Sequence, residues 1–110
     1  MQEDILKKIS LLNEVSKNRF EYLRKLIYDS CDKDVEEKLW AGLPSYYVGD
    51  KFIRLIPFNN NINIEASGIE YNLDELKGYP LTPKLMIKLS NDDKINEDLF
   101  KDIFKKTLEE

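Results

Sequence analysis

Between Asn61 and Ala66 the chain alternates strictly, with Ile62, Ile64 and Ala66 apolar and Asn61, Asn63 and Glu65 polar. A period of two gives one wet face and one dry face, as an antiparallel sheet covered on one side requires. The same alternation recurs at Lys84 to Leu89, where Leu85, Ile87 and Leu89 oppose Lys84, Met86 and Lys88. Lys38 to Leu43 also alternates, with Leu39, Ala41 and Leu43 in one phase and Lys38, Trp40 and Gly42 in the other. Pro44 then stiffens the chain, because its ring fixes φ and removes a donor. Tyr46, Tyr47 and Val48 follow, and Gly49-Asp50 predicts a hairpin turn. Phe52 to Phe58 resumes as a strand with Arg54 as its only charge, and Asn59-Asn60-Asn61 tolerates the left-handed backbone of a tight turn.

Helical spacing frames these strands. Ile5, Ile9 and Leu12 form a first stripe, widened by Leu6 and Val15, and Phe20, Leu23, Leu26, Ile27 and Cys31 form a second. Asn18 with Glu21 resembles a capping box and places a break near Asn13 to Lys17; one continuous, kinked helix is the alternative. Asn72 and Glu75 predict a short helix over Leu73 to Lys77, stopped by Gly78, before an extended loop through Pro80 and Pro83. Asn96 caps a last helix striped by Leu99, Phe100, Ile103, Phe104 and Leu108. The pattern predicts a single α+β domain over residues 1–110. Its layers are an antiparallel sheet of about five strands and the N- and C-terminal helices packed on one face of it.

Composition narrows the function. Hydrophobic residues at 42% and charged residues at 35% suit a globular protein better than a disordered one. A net charge of −4 argues against a nucleic-acid or anionic-membrane binder, which needs a basic footprint. The start, MQEDILKK, has acids where a signal peptide has a basic and then an apolar block, so a cytoplasmic protein is expected. The absence of His removes Ser-His-Asp and Cys-His catalysis, and the four Gly are too scattered for a phosphate loop. Cys31 ends an apolar stripe and reads as a small buried hydrophobe. A non-catalytic protein is expected.

Two places carry candidate chemistry. Asp29, Asp32, Asp34, Glu36 and Glu37 form an acidic stretch between helix and strand. Such oxygens suit a hard cation, with Asp32, Asp34, Glu36 and Glu37 as the metal candidates; the alternative is a solvated connection balanced by Lys33 and Lys38. The second place is the polar phase of the sheet, which collects Lys38, Trp40, Arg54, Asn61, Asn63, Lys84 and Lys88, with Tyr46 or Tyr47 joining them. Trp and Arg dominate binding hot spots, so this face predicts a site for a protein or small-molecule partner, a homodimer included. The alternative buries Trp40 under a loop such as Tyr79-Pro80.

Glu36-Glu37-Lys38, Gly42-x-Pro44-Ser45-Tyr46, Gly49 and Phe58-x-Asn60-x-Ile62 resemble, in that order, the YdhG-like family of small bacterial proteins. Some members of that family are described as frataxin-like iron chaperones. The resemblance implies weak iron binding through the acidic stretch. The family often has His where this chain has Asn61, and an aromatic residue where it has Ala41.

Overall fold

The structure, a computed structural model, describes residues 3–109; Met1, Gln2 and Glu110 lie outside it. Helices α1 (Glu3–Ser10) and α2 (Glu14–Ser30) lead into strands β1 (Glu36–Trp40), β2 (Leu43–Val48), β3 (Lys51–Pro57) and β4 (Asn61–Ala66). A 3-10 turn (Ser67–Tyr71), strand β5 (Ile87–Ser90) and helix α3 (Glu97–Glu109) complete the order. The strands form one antiparallel sheet in the order β1-β2-β3-β4-β5, so each pairs with its neighbour in sequence. This is the expected α+β sandwich with its N- and C-terminal helices. No helix among the described residues is long and apolar enough to cross a membrane.

The dry phase of the strands builds the core. Ile53, Leu55, Ile62, Ile64, Ile87 and Leu89 are buried against Phe20, Leu23 and Ile27 of α2 and Phe100, Ile103 and Phe104 of α3. Each such side chain contributes about 1.5–3 kcal/mol on burial. Asn13 caps α2 by accepting a hydrogen bond from the Ser16 N–H at 2.9 Å, so the break falls just before Glu14 and the cap is Asn13, not Asn18. Asn96 accepts from the Leu99 N–H at 3.2 Å and starts α3 as expected. Gly68 lies so close to α3 that a Cβ there would meet the Ile103 carbonyl oxygen at 2.5 Å. Its N–H donates to Thr107 Oγ1 at 2.9 Å.

Three local expectations are corrected. Lys38 to Leu43 is not one strand: Trp40 pairs with Leu43 across a two-residue hairpin on Ala41 and Gly42, at φ 52° and 78°. Positive φ at both central positions marks a type I′ turn, whose twist matches that of the flanking strands. Leu73 to Lys77 forms turns and no helix. The expected cap, Asn72, spends its side chain elsewhere, donating to Asp102 Oδ2 at 3.1 Å and accepting from Lys106 Nζ at 3.1 Å. Lys84 and Leu85 sit in a turn ahead of β5, not in the strand. Pro83 favours that turn, the Leu85 N–H donates to the Thr82 carbonyl at 2.9 Å, and Leu85 is left at φ 60°, 38% exposed and outside the core.

The two sheet edges differ. Along β5 the Pro80–Thr82 segment lies alongside, with a Leu81–Ile87 bridge and a Lys88 N–H donating to the Pro80 carbonyl at 2.9 Å. Among the described residues β1 pairs only with β2, and no strand lies on its outer edge.

Candidate binding surface

The helices cover one face of the sheet, and register places the polar phase on the other. Cross-strand partners share a face, so Lys38 lies beside Ser45, Ser45 beside Arg54, Arg54 beside Glu65, and Asn63 beside Lys88. Trp40, Leu43, Tyr47, Phe52 and Ile56 fall on this same open face.

Arg54 is its centre. Only 7% exposed, it lies between two rings, with its guanidinium carbon 4.1 Å from the centroids of both Trp40 and Phe52. All three guanidinium nitrogens are engaged: Nε donates to Ser45 Oγ at 2.9 Å, one terminal nitrogen to Glu65 Oε1 at 3.1 Å, and the other to the Tyr47 hydroxyl at 3.2 Å. A guanidinium so enclosed has little left to offer a ligand. It holds the Trp40 ring in place from beneath while Trp40 itself stays 53% exposed.

Lys38 and the two asparagines are also tied up locally, while Lys88 stands exposed on β5. Lys38 Nζ lies 2.9 Å from Glu36 Oε1 and 4.6 Å from the Tyr47 ring centroid, and the bond to Glu36 holds its ammonium pKa above the ordinary value. Asn61 Nδ2 donates to Asn63 Oδ1 at 2.8 Å.

The structure therefore brings Lys38, Trp40, Arg54, Asn61 and Asn63 onto one face, and leaves out two of the predicted binding residues. Tyr46 points the other way, fully buried, and its cross-strand partners are Glu37 and Ile53; Tyr47 is the tyrosine on the open face. Lys84 lies beyond the end of the sheet, where it lines a groove of about 440 Å³ with Asp50, Lys51, Phe52, Glu70 and Leu85. Trp40 lies on Arg54, while Tyr79 packs on Phe100 with ring centroids 5.2 Å apart.

The acidic stretch is dispersed. Glu37 faces the helices, 7% exposed, and its carboxylate accepts from Arg24 at 2.6 and 3.2 Å. Asp29 pairs with Lys25 at 3.6 Å and Glu36 with Lys38, while Asp32 and Asp34 are exposed. Among the described residues no group of three or more His, Cys, Asp and Glu side chains is placed to hold a metal ion. The residues present do not fit the iron site that the resemblance implies.

Ser45, Phe52 and Glu65 are the members of the Arg54 cluster that sequence reasoning did not name, and Tyr47 is the one of the two candidate tyrosines that joins it. Phe52 and Glu65 were readable in principle, since Phe52 shares the phase of Arg54 and Glu65 that of Asn63.

The molecule is thus a two-layer α+β domain with one bare sheet face built around a clamped arginine. No family model matches the chain, and no curated protein or solved structure matches it either.

Proposed function

We propose that this chain is a small non-catalytic binding module that engages a protein partner through the open sheet face, the partner laying an apolar or aromatic side chain on Trp40. The supporting observation is the Arg54 sandwich, which fixes a half-exposed indole in one orientation. A rigid aromatic anchor loses little conformational entropy on contact, the property that makes Trp a frequent hot spot. Charge supports a protein over an anionic ligand. Arg54 is neutralised by Glu65 and Lys38 by Glu36 within the face itself, so no single-sign field is presented to a polyanion. The groove beside Lys84 reaches Phe52 and Glu65 of the Arg54 cluster, does not include Trp40 in its lining, and mixes acids with lysines.

Trp40 is the sole Trp, so its emission reports this face alone. Partners captured on the immobilised chain should shift or quench that emission. Trp40→Ala should weaken their binding by about 30-fold, the equivalent of about 2 kcal/mol for a hot spot. Partners that bind Trp40→Ala as tightly as the parent, without changing the emission, would overturn the proposal. Sedimentation of the chain alone shows whether a second copy is such a partner.

A further inference from the structure

We propose that the buried Arg24–Glu37 ion pair guards the free edge of the sheet, keeping β1 from accepting another strand, above all β1 of a second copy of this chain. An edge strand presents unpaired N–H and C=O groups and is a template for pairing unless something blunts it. The fold treats its two edges differently: the Pro80–Thr82 segment lies along β5, whereas β1 is approached by helix α1 and, among the described residues, pairs with no strand but β2. What β1 has instead is a charge pointing inward. Glu37 lies on the helix-facing side, where its neighbour Leu39 is apolar, and Arg24 of α2 reaches it with two nitrogens while lying 4.8 Å from the Tyr28 ring centroid.

A strand added at β1 would set its own inward side chains beside this pair. The Arg24 side chain is still 26% exposed, so the newcomer would strip water from a guanidinium–carboxylate pair and offer it nothing in return. Self-pairing meets a second barrier. Antiparallel partners must share a face, so a symmetric β1–β1 register centres on a residue. Centring on Glu37 sets two carboxylates opposite each other, and centring on Lys38 sets two ammonium groups opposite, both unfavourable. Centring on Leu39 carries Glu37 against Ala41, which has already left the strand for the hairpin turn.

This inference stands apart from the open-face reading, and its test leaves Trp40 untouched. Replacing both residues, R24L with E37L, removes the ion pair as a unit and avoids stranding either of its two charges beside the other's vacancy, and far-UV circular dichroism shows whether the double variant folds. In sedimentation velocity its weight-average coefficient should rise with protein concentration more steeply than that of the parent. The single variant E37Q, which keeps the shape and loses the charge, should move the same way to a smaller extent. The swapped pair R24E with E37R should behave like the parent. Adding I56K, a lysine in the middle of the open face, should leave the new association intact, because face-to-face contact would be broken and edge contact would not. The proposal is overturned if folded R24L/E37L and E37Q associate no more than the parent, or if I56K abolishes the association.

Discussion

Replacing Arg54 by Ala separates a structural clamp from a ligand donor. In the folded protein the side chain is 7% exposed, stacks on two rings and donates to Ser45, Glu65 and Tyr47. Each cation–π contact is worth about 0.5–2 kcal/mol depending on its desolvation. The bond to buried Ser45 is a charged hydrogen bond in a dry site, of the class that nets about 1.5–3 kcal/mol. The Glu65 pair is discounted to below about 1 kcal/mol, because that carboxylate is 35% exposed and screened. The contributions overlap, so we expect Arg54→Ala to lose about 3–4 kcal/mol, within the range for breaking a buried pair. Urea unfolding followed by far-UV circular dichroism is the assay, since Trp40 emission changes with the substitution itself. The midpoint should fall at constant slope, which marks a change of stability and not of the unfolded state. A loss below about 0.5 kcal/mol, the range of ordinary surface changes, would mean that Arg54 is a mobile surface cation and that the clamp does not hold Trp40.

Ala41→Asn should stabilise the protein by up to about 1 kcal/mol, because Asn tolerates φ 52° better than Ala and completes an Asn-Gly type I′ turn; a lower melting temperature would contradict the turn. Gly68→Ala should destabilise by about 1–3 kcal/mol, as overpacking does, since the added methyl meets both the Ile103 backbone of α3 and the buried Thr107 hydroxyl; unchanged chemical unfolding would show that α3 lies farther away. The Tyr46 phenol is held well above its ordinary pKa by burial, with the Glu37 carboxylate adding to it. An unfolded chain releases that proton near pH 10 while the folded one keeps it. The contribution is therefore intact below about pH 10 and lost as pH rises further. Tyr46→Phe should accordingly flatten the alkaline fall in stability, and profiles that superimpose on those of the parent would refute this assignment.

Most of the fold was legible wherever one pattern ran uninterrupted. Asn61 to Ala66 and the stripe of α3 each carry their own period, and burial in the structure follows both. The failures lie at backbone exceptions. Ala is not a turn residue, so the reversal at Ala41-Gly42 was hidden inside an alternation that continued through it. Leu85 kept the phase of Ile87, yet a left-handed backbone put it outside the sheet. The phase of Trp40 and Arg54 was readable, but the clamp between them was not. Its members come from β1, β2, β3 and β4, and only the register of those strands brings them together. The choice between Tyr46 and Tyr47 was equally non-local, because it depends on Tyr46 standing between Glu37 and Ile53.

The nearest-neighbour strand order has a kinetic consequence. Every strand pairing joins strands consecutive along the chain, and the first three ladders close only tight turns while β4–β5 spans the longer connection from Ser67 to Met86; loop closure is the entropic barrier that slows sheets with distant partners. The widest separation in the molecule is bridged instead by helices, where α3 meets α2 across the whole length of the sheet region. During synthesis all five strands precede α3, so the meander can be registered while the places of Phe100, Ile103, Phe104 and Leu108 in the core are still empty. The dry face of Ile53, Leu55, Ile62 and Ile64 is then partly open to solvent until the thirteen residues of α3 dock. That interval is when this chain is most exposed to aggregation.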